Sequence, residues 1–139
     1  MEFVDIPRDL LEAALSVSSN SYAPYSGFRV SAAVRDDRGR VFVGVNVENS
    51  SYGLTVCAER VAVFNAVTHG ARKILEALIL ALDSNDVVPP CGACLQVLSE
   101  FADRDARIYM VSGKTWGYEV RKLGDLLPVV FSLRGRSME

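Results

Sequence analysis

The chain has 139 residues, of which 50% are hydrophobic and 23% charged, with a formal net charge of −2. This length predicts a single domain, residues 1–139, and the apolar share excludes a disordered protein, which could not bury a core. The slightly negative charge argues against a nucleic-acid partner. No apolar run approaches the ~20 residues of a membrane span, and Met1–Asp9 lacks the features of a signal peptide, so we expect a cytoplasmic protein.

The first part of the chain predicts a helix followed by a hairpin. Apolar residues recur at helical spacing over Ile6–Ser18, and Pro7 lies near the first helical position. Apolar and polar residues alternate over Phe28–Val34 and again over Val41–Val47, on either side of the turn Asp36–Arg40. That pattern favours two antiparallel strands.

The remainder predicts an α/β fold. Cys57–Thr68 and Gly92–Phe101 are expected to be helices on either side of a buried strand, Ile74–Leu82, and these helical crossovers imply parallel neighbours for that strand. The last predicted elements are strand Ala106–Val111, turn Ser112–Gly117, strand Tyr118–Lys122 and short helix Leu123–Leu127. Because the turn is too short for a crossover helix, the last two strands should pair antiparallel. We therefore expect a three-layer α/β/α sandwich with a mixed five-stranded sheet.

The three cysteines of the chain fall in two short segments. Cys91 and Cys94 are three residues apart at the start of a predicted helix, and Cys57 is at the start of another. Helix N-termini favour thiolates, and three thiolates supply three corners of a tetrahedral zinc site with the fourth position open, as in catalytic zinc centres. A lone Cys-x-x-Cys is equally typical of a redox pair or of coincidence.

Glu59, two residues after Cys57, favours the catalytic interpretation. A carboxylate that is not a ligand but faces zinc-bound water can accept the proton of that water and deliver it to a substrate.

The sequence resembles the zinc-dependent cytidine deaminases in two motifs, Cys57-Ala58-Glu59-Arg60 and Pro90-Cys91-Gly92-Ala93-Cys94. The all-cysteine ligand set is similar to that of the small, homotetrameric members, which act on free nucleosides. Further matches follow in family order: Tyr22-Ala23-Pro24-Tyr25-Ser26, Phe28, Asn46-Val47-Glu48-Asn49, Ser51-Tyr52-Gly53-Leu54, and Leu126-Leu127-Pro128 through Phe131.

The resemblance implies a cytidine-deaminase-like fold and the hydrolytic deamination of cytidine and 2′-deoxycytidine to uridine or deoxyuridine and ammonia. It implies one Zn²⁺ per chain, held by Cys57, Cys91 and Cys94. Zinc-bound hydroxide would attack C4 of the ring, while Glu59 carries protons to N3 and to the leaving amino group. Arg60 would donate to the ligand sulfurs and offset their negative charge.

The resemblance also implies the substrate contacts. Asn46 and Glu48, two residues apart on an alternating strand, would form a clamp on a sugar hydroxyl, although their spacing alone is equally typical of a solvent-facing pair. Phe28 would pack against the pyrimidine, and backbone groups near Ala58 and Pro89 would hold the base edge.

Two further residues concern the assembly of subunits and a difference between this sequence and the family. Phe131 is similar to an aromatic residue that family members contribute to a neighbouring subunit's site, which implies a homotetramer with shared sites. Leu95 stands where the family usually has arginine, so one interaction near the zinc ligands or between subunits is expected to be missing.

Three other functions are compatible with parts of the pattern. A related zinc deaminase acting on another small aminopyrimidine or an aminonucleoside antibiotic would share the cysteines and Glu59. A nucleic-acid or nucleotide deaminase is disfavoured by the charge of −2 and by the short turn between the last two strands. A structural zinc protein would leave Glu59 unexplained and would need a fourth ligand.

Overall fold

Five strands form one mixed sheet with helices on both faces, in a computed structural model that describes residues 6–133. The strands are β1 (Val30–Asp36), β2 (Val41–Val45), β3 (Ile74–Ala81), β4 (Ala102–Ser112) and β5 (Tyr118–Lys122). The helices are α1 (Arg8–Val17), α2 (Ala58–Thr68), α3 (Gly92–Phe101) and α4 (Leu123–Leu126). Within the described range, no helix combines the length and apolar character that crossing a membrane requires.

The strand order is β2-β1-β3-β4-β5. β3 pairs parallel with β4, and β4 pairs antiparallel with β5, as predicted. The other neighbour of β3 is β1, and this pair is antiparallel, so the expectation of parallel neighbours on both sides was wrong on this side. The reason is that the crossover through α2 passes over β1: β2 and β3 both run antiparallel to β1, and thus parallel to each other, without being adjacent.

The side chains of β3 pack on both faces of the sheet. Ala77 and Ile79 belong to the core cluster formed with α2 and α3, whereas Leu78 and Leu80 belong to the cluster that includes Leu10 of α1. All are nearly or completely buried, and full burial of a leucine or isoleucine contributes about 1.5–3 kcal/mol. The continuous apolar run of this strand therefore reflects helices on both sides, which confirms the three-layer architecture.

The predicted boundaries are met by two elements and missed at the start of a third. Gly92–Phe101 and Tyr118–Lys122 have the predicted bounds. β4 begins four residues earlier than predicted, because its first residues are mostly exposed and polar and carry no apolar alternation.

Two helix N-termini converge beside the sheet and position the cysteines. Cys57 is the N-cap of α2, and Cys91 is the N-cap of α3, both with extended backbone. β2 packs closely against the first turns of α2, because Gly44 carries no side chain: a Cβ there would lie 2.6 Å from the Ala58 carbonyl oxygen. The sheet thereby positions the helix that carries Cys57 and Glu59.

Candidate active site

The three cysteine sulfurs form a cluster at the two helix N-termini. The Cys57 and Cys91 sulfurs are 3.9 Å apart, the Cys91 and Cys94 sulfurs are 3.5 Å apart, and all three lie within 4.8 Å of one another. A tetrahedral zinc ion with Zn–S distances of ≈ 2.3 Å requires sulfur–sulfur separations of about 3.8 Å. The donor set and its spacing therefore fit one zinc ion, with Cys57 half-buried, Cys91 exposed and Cys94 buried.

The environment of the cluster favours a thiolate on Cys57. A hydrogen bond from Cys94 lowers the pKa of Cys57 to about 5, burial opposes this shift, and Arg60 supports it. The Arg60 Nη2 atom lies 3.6 Å from the Cys57 sulfur. The hydrogen bond that Cys94 donates to the Cys57 thiolate raises the pKa of Cys94, because the thiolate holds its proton. The burial of Cys94 raises this pKa further.

Glu59 lies in the first turn of α2 and is 5% exposed. Its burial raises its pKa to about 7; the backbone amide of Glu59 opposes this shift, and the negative charge on Cys57 adds to it. A buried carboxyl with a pKa near neutrality can both accept and donate a proton, as a general acid–base requires.

The Asn46–Glu48 segment pairs with the segment that leads into α2. Val47 and Val56 form an antiparallel bridge through both of their backbone N–H groups. In this register, Asn46 is opposite Cys57, and Glu48 is opposite Thr55. Because side chains alternate along extended chains, Asn46 and Glu48 emerge on the side of the pairing that also carries Cys57. The register therefore places the predicted clamp residues and Cys57 on the same side of this pairing.

The Asn46 side chain is already well bonded within the protein. Its Oδ1 atom accepts hydrogen bonds from the Ser21 hydroxyl and from the Val30 amide (3.1 Å), while Nδ2 donates to the Phe28 carbonyl (2.8 Å). Asn46 is therefore not the solvent-facing residue that its spacing alone permits, and it is 8% exposed. Among residues 6–133, Nδ2 has no second acceptor, so one amide hydrogen is left for another group.

Glu48 lines an open cavity of ≈ 340 Å³ together with Tyr25, Ser26, Tyr52 and Thr55. A hydrogen bond from Ser26 lowers the pKa of Glu48, burial opposes the shift, and amide hydrogen bonds from Ser26 and Tyr25 support it. The carboxylate therefore stays ionised at neutral pH. A cavity of ≈ 430 Å³ elsewhere, between α3, β4 and α4, is lined by none of the predicted site residues.

The remaining predicted contacts differ in exposure. Ala58 is fully buried in the first turn of α2, and Pro89 is exposed in the loop that leads to α3. Phe28 is 36% exposed. Phe131 is also exposed, and its backbone carbonyl accepts a hydrogen bond from the Gln96 side chain of α3 (3.0 Å).

Sequence reasoning assigned no role to two serines that contact the clamp. Ser21 bonds Asn46 and Ser26 bonds Glu48, across 25 and 22 residues of chain. No local pattern signals pairings of this range. Ser26 fell within a motif that resembles the family, which marked the segment but not the contact.

The fold and the cysteine–glutamate site define the class of zinc-binding deaminases. The family model described as the cytidine and deoxycytidylate deaminase zinc-binding region matches residues 5–111. Cytidine deaminases from Halalkalibacterium halodurans and Mycobacterium tuberculosis are 40% and 42% identical to the chain; the alignments cover 88% and 93% of this chain and 92% of each relative. The crystal structure of cytidine deaminase from Burkholderia pseudomallei has a TM-score of 0.84 and 38% identity, covering 91% of this chain and 100% of that one. This chain belongs to the cytidine deaminase family.

Proposed function

We propose that this chain is a single-domain cytidine deaminase, residues 1–139, that hydrolyses cytidine and 2′-deoxycytidine to uridine or deoxyuridine and ammonia. The observation that carries this proposal is the convergence of three cysteine sulfurs within 4.8 Å beside the buried Glu59. The names of the relatives support the choice of substrate.

Cys57, Cys91 and Cys94 would hold one zinc ion. When bound, zinc acts as a Lewis acid that lowers the pKa of a coordinated water to ~7. Arg60 offsets the excess negative charge of three thiolates around a divalent ion, since its guanidinium is 3.6 Å from the Cys57 sulfur.

Glu59 carries the protons of the reaction. It accepts one proton from the attacking water and delivers it to N3 of the pyrimidine, which makes C4 more electrophilic. It then delivers the second proton of the water to the amino group on C4, so that this group leaves as ammonia and the product is uridine. Its buried position in the first turn of α2, next to Cys57, suits both transfers.

The Asn46–Glu48 clamp recognises the sugar, and the 3′-hydroxyl is its target, since a clamp on the 2′-hydroxyl would exclude the proposed substrate 2′-deoxycytidine. Within the described part of the chain, Asn46 has one amide hydrogen left to donate, and the ionised Glu48 accepts from the hydroxyl. Phe28 packs against the ring, while backbone groups of Ala58 and Pro89 bond the base edge. A site built to bond a hydroxyl rejects analogues that lack it.

We further propose that the enzyme is a homotetramer in which Phe131 completes the site of a neighbouring subunit. In support, Val129, Phe131 and Leu133 alternate along the C-terminal segment and are 80%, 68% and 79% exposed. Apolar side chains in such a series favour burial against another surface.

The test is loss of the cytidine absorbance band with purified protein of measured zinc content. We expect turnover at about one zinc per chain, reduced about 10²–10⁴-fold in Glu59→Gln, the range contributed by general acid–base groups. Glu12→Gln, an exposed glutamate of α1, is the matched control and should retain activity. Zinc-loaded protein that turns over neither cytidine nor 2′-deoxycytidine would overturn the proposal. Other aminopyrimidines and aminonucleoside antibiotics would then be the substrates to test.

A further inference from the structure

We propose that Ser26 is a positioning residue for sugar recognition: its hydroxyl holds the Glu48 carboxylate so that one acceptor position faces the 3′-hydroxyl of the nucleoside. This inference rests on the proposed function, because it assigns Ser26 a role through Glu48 of the sugar clamp.

The hydrogen bonds of Glu48 define its orientation. Oε1 accepts the backbone N–H groups of Tyr25 (2.9 Å) and Ser26 (3.1 Å), and Oε2 accepts the Ser26 hydroxyl. A carboxylate has about four lone-pair positions. Three of them are taken by these donors within the described chain. The remaining position, on Oε2, is the one that a substrate hydroxyl can use.

The Ser26 hydroxyl also links the two halves of the substrate site. While it donates to Glu48, its Oγ atom accepts the backbone N–H of Phe28 at 2.9 Å. Gly27 allows this turn, because its φ of +70° is in the left-handed region that favours glycine. One hydroxyl thus connects the backbone of the proposed ring contact with the carboxylate of the proposed sugar contact.

Removal of this hydroxyl would change the carboxylate in a defined way. The two amides would still hold Oε1, but Oε2 would lose its only protein donor among the described residues and become free to swing towards solvent. The Ser26 bond is the largest influence lowering the pKa of Glu48, which indicates that it engages the ionised form. Hydrogen bonds to charged groups are among the stronger ones in proteins.

The test compares Ser26→Ala with Ser16→Ala, whose native hydroxyl donates to a carbonyl within its own helix. For Ser26→Ala we expect KM for cytidine, and the dissociation constant of the product uridine measured by calorimetry, to rise about 10-fold. We expect kcat to change less than about 2-fold, because Glu59 and the cysteines are untouched. With 3′-deoxycytidine the effect of the substitution on KM should disappear, since that substrate has no hydroxyl to bond Glu48.

A second pair of variants separates the hydroxyl from packing. Ser26→Thr and Ser26→Val have nearly the same shape, but only threonine can donate; the threonine variant should bind uridine within about 3-fold of the native chain and the valine variant about 10-fold more weakly. Unchanged KM and uridine affinity in Ser26→Ala, or equal losses on cytidine and 3′-deoxycytidine, would overturn the inference while leaving the deaminase assignment intact. A native chain that fails to deaminate cytidine would instead overturn the proposed function, and this inference with it.

Discussion

Leu95 directly follows the third cysteine, at a position where the resemblance to the family led us to expect arginine. In this chain it is 7% exposed and packs in the core cluster that also contains Leu98, Ala106 and Met110. The side chain therefore contributes to packing between α3 and the sheet. The guanidinium that faces the thiols here belongs to Arg60.

We expect Leu95→Arg to destabilise the protein and not to improve catalysis. Burying a charge in an apolar cluster and losing leucine contacts should lower the free energy of unfolding by about 2–4 kcal/mol. Leu95→Met, which nearly conserves volume, should lower it by less than about 1.5 kcal/mol. Urea unfolding and kcat/KM for cytidine are the measurements. Native stability together with a tenfold gain in kcat/KM would show that an arginine at this position reaches the site.

At the scale of elements, the approach of β2 to α2 decides where Cys57 and Glu59 lie. Gly44 of β2 faces backbone atoms of Ala58, Val61 and Ala62, and backbone cannot rotate away from an added side chain as a long side chain can. The helix that carries the proposed proton shuttle is thus positioned by a backbone contact between its first turns and β2.

Gly44→Ala should therefore be destabilising by about 1–3 kcal/mol, as overpacked cores are, and should reduce both zinc content and activity by displacing α2. Gly53→Ala is the control, because a Cβ at Gly53 meets no atom within 4 Å. The readouts are urea unfolding and zinc per chain after dialysis. Equal stability and equal zinc content in the two variants would contradict the assigned role of this contact.

The hairpin between β1 and β2 depends on a buried acid. Asp36 is 0% exposed, and its carboxylate accepts the Arg38 and Arg40 amides and the Arg40 Nε. Burial raises the pKa of Asp36, but the hydrogen bonds from Arg40 and from the two amides outweigh it and lower the pKa below its ordinary value of 3.8.

A group with a lowered folded-state pKa stabilises the protein above its unfolded-state pKa, about 3.9, and loses that contribution as pH falls through the folded-state value. Asp36→Asn should therefore have a lower Tm than the native chain at pH 7, and the difference should shrink below about pH 4. Calorimetry of both proteins from pH 7 to pH 3 measures this difference in Tm. A constant Tm difference across this range would mean that the charge of Asp36 contributes nothing.

At the scale of the whole molecule, active sites shared between subunits would allow two inactive variants to complement each other. If Phe131 completes a neighbour's site, Phe131→Ala and Glu59→Gln damage different parts of each shared site. A mixed oligomer then contains sites with an intact Glu59 from one chain and an intact Phe131 from the other.

Each variant alone should have low activity, whereas a co-refolded equal mixture should recover about one quarter of native activity through random pairing of subunits. Activity of the mixture is compared with the sum of the separate variants, and native mass spectrometry reports the assembly. Activity no greater than that sum, in a mixture shown to contain both chains, would place Phe131 outside the neighbouring site.

Much of the architecture is encoded locally. The apolar run of β3, the helical period of α3 and the short turn before β5 predicted their elements because each depends on neighbours within a few residues. The three cysteines and Glu59 indicated a zinc site, and the resemblance to the deaminases implied that Cys57, Cys91 and Cys94 hold one ion together. The local patterns thus determined the three layers, while the metal-binding interpretation depended on the family motifs as well.

Contacts between distant segments were decided only by the tertiary structure. Sequence could not place β3 beside β1, because the crossover through α2 can pass over one strand or none. Nor could the sequence reveal that Ser26 donates a hydrogen bond to Glu48. The same holds for the Asn46 side chain, which forms hydrogen bonds with Ser21, Phe28 and Val30. Such pairings join residues 16 to 25 positions apart, and their geometry exists only after the strands have paired.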